Sequence, residues 1–313
     1  MRILILGAGA LGSLIGAGLH RYGYPVVLYS TNRAHISAIS DKGLVLEKLS
    51  GEEVVLHPPA CADIDELPWI PELVLTLVKS RNTTDAVRYA LPACSINTSF
   101  LTLQNGIGNA EAIRHLVGGD RVLAGTTAQG ATLVGPGRVR HGGQGPTHIG
   151  RPGANADDLA LQTAKILDSA GFPCQTTNEV DHLIWKKLLV NVGINAITAV
   201  ARVPNGWIAD NPSAGELAEQ AVVEAREVAA RYGFSFAGEV AQEVLQVADR
   251  TRSNHSSMYQ DVAAGKPSEI EAINGAVEKM ARACDMQVPV NWALTRLIRL
   301  MDAVNAQEGG RNE

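Results

Sequence analysis

The sequence has few cysteines, few aromatic residues and no excess of positive charge. Of its 313 residues, four are cysteines and 4% are aromatic. Cys61, Cys94, Cys174 and Cys284 form no CxxC pair and lie near no group of histidines, so neither a zinc site nor a disulfide framework is indicated. Such cysteine usage is typical of a protein in the reducing cytoplasm. The formal net charge is −5 and no basic stripe occurs, which argues against a nucleic-acid partner.

Long uninterrupted apolar runs are also scarce. The segment from Ile3 to Leu19 follows Met1-Arg2 and superficially resembles a signal peptide. Glycines interrupt it, however, and no small-residue cleavage site follows it, so a buried strand starting at residue 2 explains it better. No other stretch approaches the roughly 20 apolar residues that a membrane span requires, and we therefore expect no membrane partner.

In the first half of the chain, short apolar runs alternate with helix-like stretches. The runs are RILIL (2–6), PVVLY (25–29), LVLTLV (73–78) and SFLTL (99–103). This alternation predicts an α/β fold with βαβ units and a parallel sheet of the Rossmann type. We expect RVRH (138–141) and THIG (147–150) to be antiparallel strands that close one edge of this sheet. A helix over 155–170 and a short strand over 173–176 would follow.

From about residue 179 the pattern becomes helical, and strand signals nearly disappear. The predicted helices span 181–200, 212–232, 236–252, 256–264, 269–284 and 289–305. We therefore expect a nucleotide-binding domain over 1–178 and an all-helical substrate domain over 179–313. The tail GGRN (309–312) is expected to be disordered. The apolar helices suit either a homodimer interface or the core alone, so the oligomeric state stays open.

A glycine-rich turn lies directly after the first predicted strand. Gly7-Ala8-Gly9-Ala10-Leu11-Gly12 has the GxGxxG spacing and opens a helix. The first glycine allows a tight turn, the second allows a pyrophosphate to approach the backbone, and the third allows close packing of helix and strand. The helix N-terminus would supply N–H groups and a positive dipole end. A merely tight turn would not need all three glycines.

The end of the second predicted strand indicates which dinucleotide binds. An NAD site places an acid there for the ribose 2′-hydroxyl. Here the segment reads Tyr29-Ser30-Thr31-Asn32-Arg33, whose hydroxyls and arginine favour the 2′-phosphate of NADP. Arg33 as a plain surface residue is the alternative. Lys79 and Asn105 follow two further strands and would face the same cleft, although a solvated lysine and an Asn-Gly turn explain them equally well.

Three polar residues share one face of an otherwise apolar helix in the second half. Lys187, Asn191 and Asn195 stand at i, i+4 and i+8, whereas Lys186 lies about 100° away around the helix and is expected to be solvated. Leaving such groups buried and unpaired costs about 1–3 kcal/mol each. Satisfied asparagines and a snorkelling lysine are one explanation. A substrate cleft explains all three more economically.

Further polar residues follow. Asn205 lies in a Pro-Asn-Gly turn. A serine pair that ends in Ser257 precedes a helical run and is typical of an N-cap or of an anion site at a helix N-terminus. Glu269 begins another predicted helix, where a surface acid that complements the dipole is the simplest interpretation from the residues alone.

Taken in order, these motifs resemble the ketopantoate reductase (2-dehydropantoate 2-reductase) family, which is 6-phosphogluconate-dehydrogenase-like. The resemblance covers nearly the whole chain. The matching segments are GAGALG (7–12), VKSRN (78–82), QNG (104–106), GTT (125–127), HGGQGPTHIG (141–150), WKKLLVN (185–191), NAIT (195–198), PNG (204–206), NHSSMYQD (254–261) and PSEIEAING (267–275). It implies NADPH-dependent reduction of ketopantoate to pantoate, a step of pantothenate and coenzyme A biosynthesis.

The resemblance also implies roles for individual residues. Lys187 would be the proton donor, with Glu269 beside it and in contact with the cofactor ribose and the substrate. Substrate would be held by Asn105, Asn191, Asn195, Asn205, Asn254 and Ser257, and the last two of these would bind its carboxylate. Lys79, Ala131 and Asn105 would line the cofactor.

The chain departs from the family pattern in the segment that would contact the 2′-phosphate. Thr31 stands where the family has an arginine, and Arg33 follows two residues later. Arg81 lies within Lys79-Ser80-Arg81-Asn82, where the family often has Lys-x-x-Gln, and is another candidate for the phosphate. Two alternatives to ketopantoate reduction remain: an NADPH-dependent reductase of a different 2-oxo acid, and a non-catalytic NADP-sensing protein.

Overall fold

The computed structural model describes residues 1–236 and 240–309. Two compact units are present. The first comprises Met1–Gln104 and Asn109–Leu183, and the second comprises Asn105–Gly108 and Ile184–Glu313. The sequence-predicted tail lies outside the described residues from residue 310 onward. The predicted helix over 236–252 likewise includes residues outside the described part, namely 237–239.

The first unit is built on an eight-stranded sheet. Its strands are β1 (Ile3–Leu6), β2 (Val26–Tyr29), β5 (Ala60–Cys61), β6 (Leu73–Thr76), β7 (Ser99–Thr102), β8 (Val122–Thr127), β11 (Thr147–Gly150) and β12 (Cys174–Thr176). Their order is β12-β11-β8-β7-β6-β1-β2-β5. Neighbouring strands are parallel except for β8 and β11. The central strands are buried on both faces, as the continuous apolar runs predict.

A second sheet of four strands belongs to the same unit. Its strands are β3 (Leu44–Glu47), β4 (Glu53–Leu56), β9 (Gly130–Gly135) and β10 (Arg138–Gly143), in the order β4-β3-β10-β9. The prediction that both 138–141 and 147–150 close one edge of the main sheet is therefore half wrong. β11 does pair with β8, but β10 pairs with β3 and β9 in the second sheet.

Five helices complete the first unit. They are α1 (Ala10–Arg21), α2 (Arg33–Lys42), α3 (Thr83–Ala90), α4 (Asn109–Val117) and α5 (Asp158–Ser169). α1 packs closely on the main sheet because it carries glycine where a side chain would collide. A Cβ at Gly16 would lie 2.7 Å from the Leu28 side chain. The fold class predicted from the sequence, a Rossmann-type α/β domain followed by helices, is confirmed by this topology.

The described part of the second unit is helical. Its helices are α6 (Val180–Ala201, which begins in the first unit), α7 (Trp207–Asp210), α8 (Pro212–Arg231), α9 (Val240–Arg250), α10 (Ser257–Ala263), α11 (Asn274–Ala283) and α12 (Pro289–Gly309). The predicted continuous helix over 269–284 is wrong. A short 3₁₀ turn spans Ile270–Ala272, and the backbone breaks at Ile273 before α11 begins.

α6 runs through the core of the second unit. Trp185, Leu188, Leu189 and Val192 are all buried in its apolar cluster. Gly193 allows α8 and α9 to approach, since a Cβ there would lie 2.8 Å from both Val222 and Val244. Among the described residues α6 is the helix long and apolar enough to cross a membrane, but 61% of its most apolar window is buried inside the protein, which is usual for a core helix.

Candidate active site

The face of α6 that carries Lys187, Asn191 and Asn195 holds a charged group that is partly removed from solvent. Lys187 and Asn191 are half-buried and Asn195 is buried. Lys186 is exposed and pairs with Glu243 at 2.8 Å, so the prediction that it is the solvated lysine is confirmed. Burial lowers the pKa of Lys187 and the negative charge of Glu269 raises it in part, and the two effects together leave it at about 8. The Lys187 ammonium is therefore a stronger acid than that of an ordinary lysine, and it is still mostly protonated at neutral pH.

Two hydroxyl groups connect this face to α10. The Oγ1 atom of Thr198 and the Oγ atom of Ser256 lie 2.9 Å apart, and both residues are buried. Ser256 Oγ also lies 3.4 Å from the Asn195 carbonyl oxygen, and it caps α10 by accepting from the N–H of Tyr259. Ser256 is thus the structural cap, and the exposed Ser257 occupies the first helical position. The first turn of α10 is fixed beside Asn195.

Asn205 and Asn254 are joined through their backbones. The Asn205 N–H donates to the Asn254 carbonyl oxygen at 2.9 Å. The Asn205 side chain is buried and donates from Nδ2 to Thr251 Oγ1 at 3.0 Å. Asn254 is exposed and lies two residues before Ser256. These bonds bring the turn after α6 to the segment that leads into α10.

Glu269 is half-buried and lies in a turn that is held by side-chain hydrogen bonds both before and after it. Before it, Ser268 donates from N–H and Oγ to the Asp302 carboxylate of α12, with an Oγ–Oδ2 distance of 2.7 Å. After it, the Asn274 Nδ2 atom donates to the Val192 carbonyl oxygen of α6 at 3.4 Å and to Asn291 Oδ1 at 3.0 Å. The position of Glu269 is therefore tied to the helix that carries Lys187.

The short segment that contains Asn105 docks on the same turn. The Ile107 N–H donates to the Ala272 carbonyl oxygen at 3.1 Å. Gly106 makes this approach possible, because a Cβ there would lie 2.2 Å from that oxygen and because its φ is +83°. Asn105 itself is half-buried. Every residue predicted to hold substrate therefore lies in the second unit, which contains Asn105, Lys187, Asn191, Asn195, Asn205, Asn254, Ser257 and Glu269.

The glycine turn of the first unit has the geometry that a dinucleotide pyrophosphate needs. Gly7 has φ +109°, and a Cβ at Gly12 would lie 2.1 Å from the Gly7 carbonyl oxygen. A Cβ at Gly9 would meet no atom within 4 Å, and Gly9 offers no side chain to cap α1. The first glycine thus allows the tight turn, the second leaves open space above the backbone, and the third allows close packing. These residues fit a dinucleotide, whose phosphates would lie at the N-terminus of α1.

Arg33 begins α2 and is exposed at the end of β2. Asn32 caps this helix by accepting from the His35 N–H at 3.2 Å, and Ser30 Oγ accepts from the Asn32 N–H. The pKa of Asp63 is lowered mainly by the hydrogen bond from the Asp65 N–H, and the positive charge of Arg33 adds a smaller effect. In the same unit Lys79 is half-buried directly before a 3₁₀ turn, Arg81 is exposed within that turn, and the half-buried Ala131 lies on β9.

One buried residue next to the glycine turn was missed from the sequence. His35 accepts from the Gly137 N–H at Nδ1 (2.9 Å), so its Nε2 carries the proton and faces Ser13 Oγ at 3.0 Å. Ser13 Oγ in turn donates to the Ala8 carbonyl oxygen. Burial lowers the pKa of His35, which keeps the ring neutral. A single histidine near the start of a helix gives no sequence signal that it will be buried and will link Ser13 to the Gly137 backbone.

The residues in the second unit that the sequence analysis missed hold the segments that carry the predicted ones, and they are Thr198, Thr251, Ser268, Asn274 and Asp302. Residues 1–236 and 240–309 contain no group of three or more His, Cys, Asp or Glu side chains placed to hold a metal ion.

Comparisons with known families match both halves of the chain. Residues 3–153 match the model "Ketopantoate reductase PanE/ApbA", and residues 179–302 match "Ketopantoate reductase PanE/ApbA C terminal". A 2-dehydropantoate 2-reductase from Halobacterium salinarum is 39% identical over 300 residues, which cover 96% of this chain and 98% of the relative. One from Pyrococcus horikoshii is 34% identical and covers 97% of this chain and 98% of the relative.

Solved structures with the same fold include enzymes that differ in substrate. A PanE/ApbA family ketopantoate reductase from Ralstonia eutropha has a TM-score of 0.90 at 31% identity, with 98% of this chain and 100% of that chain covered. A D-mandelate dehydrogenase in complex with NADH and anilino(oxo)acetate has a TM-score of 0.91 at 25% identity, with the same coverage.

Proposed function

The chain belongs to the ketopantoate reductase family, and we propose that it reduces 2-dehydropantoate to pantoate with NADPH, in the cytoplasm, as a step of pantothenate and coenzyme A biosynthesis. The observation that carries this proposal is the half-buried Lys187 with a pKa of about 8, followed along the same face of α6 by two amides and exposed to the charge of Glu269. Residues 1–178 would form the NADP-binding domain and residues 179–313 the substrate domain.

Lys187 would act as the general acid. The chemistry that NADPH would supply when bound is the hydride that reduces C2 of the oxo acid. As negative charge develops on the carbonyl oxygen, the Lys187 ammonium would stabilise it and then transfer a proton to it, which leaves a neutral amine. Solvent would restore the ammonium before the next turnover. A pKa of about 8 suits this role, since the group is protonated at neutral pH and still gives up its proton readily.

The remaining polar residues would orient the substrate. Asn191 and Asn195 would bind it along the face of α6, and Asn205 would reach its distal hydroxyl. Ser257 and Asn254 would hold the carboxylate, with the first turn of α10 as a source of N–H donors. Fixing the carboxylate determines which face of C2 is presented, and such positioning supplies a large part of enzymatic rate enhancement.

Asn105 and Glu269 would serve both ligands. Glu269 would contact the cofactor ribose and substrate, and the Gly106–Ala272 contact keeps their two segments together. In the first unit the residues 7–12 would hold the pyrophosphate, while Lys79 and Ala131 would line the dinucleotide. Arg33 at the start of α2 would bind the 2′-phosphate, with Arg81 as the second candidate.

A second candidate function is reduction of another 2-oxo acid. The likeness to a D-mandelate dehydrogenase complexed with NADH favours it, because that enzyme has the same fold and a different substrate. The residues that hold the carboxylate and the oxo group could serve either substrate.

Steady-state oxidation of NADPH with a panel of 2-oxo acids tests the proposal. The panel contains 2-dehydropantoate, pyruvate, a branched-chain 2-oxo acid and phenylglyoxylate, each repeated with NADH. We expect the highest kcat/KM with 2-dehydropantoate and NADPH. A higher value with another oxo acid would favour the second candidate. If the protein binds NADPH but oxidises it with none of these 2-oxo acids, the proposal that it is a reductase is refuted.

A further inference from the structure

The side-chain amide of Asn205 is held in one orientation by Thr251. Asn205 Nδ2 lies 3.0 Å from Thr251 Oγ1. The Thr251 hydroxyl donates to the Val247 carbonyl oxygen of α9 at 2.8 Å. Since a threonine hydroxyl has one proton, its oxygen can only accept from Asn205, so the NH₂ group and not the oxygen of the amide must face it.

This arrangement turns the Asn205 oxygen into a dedicated acceptor. Asn205 is 8% exposed, and its Oδ1 atom is buried with no hydrogen-bond partner within residues 1–236 and 240–309. A buried acceptor without a donor is unfavourable, and native proteins rarely retain one without a reason. Because Thr251 prevents the amide from flipping, Asn205 cannot relieve the problem by presenting NH₂ instead.

The acceptor lies among residues of the candidate active site. The Asn205 N–H donates to the Asn254 carbonyl oxygen, and two residues further on Ser256 Oγ contacts the Asn195 carbonyl oxygen. A ligand bound to this part of the second unit would complete the acceptor only if it brings an O–H or N–H group. A carbonyl, ether or alkyl group at the same place would leave it unpaired.

We infer that Thr251 is a positioning residue that fixes Asn205 as an acceptor and thereby makes the site select 2-oxo acids with a distal hydroxyl donor over those that end in a methyl group. The inference rests on the proposed function, because it assumes that a 2-oxo acid is the ligand. It adds to that function a reason for substrate choice and a residue, Thr251, that need not touch the substrate itself.

The test compares 2-dehydropantoate with trimethylpyruvate, which is the same molecule without its hydroxyl group. kcat and KM are measured for both with NADPH in the wild type, Thr251→Val and Thr251→Ser. Valine keeps the shape of threonine but cannot accept, whereas serine keeps the acceptor. The dissociation constant of NADPH and the melting temperature are measured for each variant as a check on folding.

The wild type is expected to prefer 2-dehydropantoate strongly. In Thr251→Val this preference falls by about tenfold, mainly through a higher KM for 2-dehydropantoate, while kcat/KM for trimethylpyruvate changes much less. Thr251→Ser keeps the wild-type preference. Should the valine variant fail to fold, Thr251→Ala gives the same comparison.

Three outcomes overturn the inference in distinguishable ways. An unchanged preference in Thr251→Val refutes the role of Thr251 and leaves the proposed function intact. An equal loss in Thr251→Ser and Thr251→Val assigns the effect to packing and not to the acceptor. Absence of NADPH oxidation by the wild type with 2-dehydropantoate refutes the proposed function, and the inference falls with it.

Discussion

Glu269 and burial act in opposite directions on the proton of Lys187. Removal from solvent lowers the pKa of the lysine, the negative charge of Glu269 raises it, and the balance of the two is a pKa of about 8. Hydrogen bonds hold the turn that carries Glu269 against α6 through Asn274 and against α12 through Ser268. The acidity of Lys187 is therefore set by packing within the second unit.

The first prediction concerns the pH dependence of the reduction. Only the protonated Lys187 can donate, so kcat/KM for 2-dehydropantoate should fall as the pH rises through about 8. In Glu269→Gln the charge that raises this pKa is lost, and the fall should move to lower pH. Steady-state rates across the pH range at saturating NADPH measure both midpoints. Identical midpoints in wild type and variant would remove Glu269 from this role.

The second prediction compares two glycines that both have a positive φ. Gly106→Ala places a Cβ 2.2 Å from the Ala272 carbonyl oxygen, which should displace the turn behind Glu269 and lower kcat/KM by about 10- to 100-fold. Gly108 also has a positive φ, +95°, but a Cβ there meets nothing within 4 Å. Gly108→Ala should therefore show the backbone strain with a much smaller loss of activity. Equal losses would assign the effect to strain alone.

The third prediction separates folding from cofactor binding. A Cβ at Gly9 would meet no atom within 4 Å outside its chain neighbours, so Gly9→Ala should keep the melting temperature. It should still weaken NADPH binding by about tenfold or more, because the backbone at the second glycine must approach the pyrophosphate. Gly135→Ala, another position with nothing within 4 Å, is the matched control. NADPH titrations followed by fluorescence give both affinities, and an unaltered affinity in Gly9→Ala would contradict the assignment.

The fourth prediction follows from the neutral, buried His35. Its folded-state pKa lies below the ordinary 6.5, so below pH 6.5 the unfolded chain binds a proton that the native protein does not. The free energy of unfolding should therefore decrease as the pH falls. His35→Gln keeps one donor and one acceptor but does not titrate, and its decrease should be shallower by up to about 1.4 kcal/mol per pH unit. Urea unfolding at several pH values measures how steeply the free energy of unfolding falls in the wild type and in His35→Gln. Equal slopes would contradict the prediction, because they would mean that His35 is already protonated in the native state.

Much of the fold could be predicted because the main sheet leaves a strong signal. β1, β6 and β7 are buried on both faces and appear as continuous apolar runs. β3 and β4 gave none, since alternate residues of β3 are only partly buried and every residue of β4 is partly buried or exposed. Strand β10 was recognised but placed in the wrong sheet, because periodicity does not reveal the distant partner of a strand.

The part of the site that lies on α6 could be predicted from the sequence. The i, i+4, i+8 phase of Lys187, Asn191 and Asn195 is visible in the sequence, and the exposed Lys186 confirms that phase. The break at Ile273 was not predictable, because the Ala272 carbonyl oxygen bonds to the distant Ile107 N–H. Thr251 was equally hidden, since it acts on Asn205 from 46 residues away.

The central claim is that Lys187 donates the proton in reduction of a 2-oxo acid by NADPH. The most direct measurement is kcat for 2-dehydropantoate in Lys187→Met, with Lys186→Met as the matched control from the exposed side of α6. Loss of a general acid should lower kcat by about 100-fold or more in Lys187→Met, with unchanged affinity for NADPH and near-normal turnover in Lys186→Met. Near-normal turnover in Lys187→Met would contradict the account.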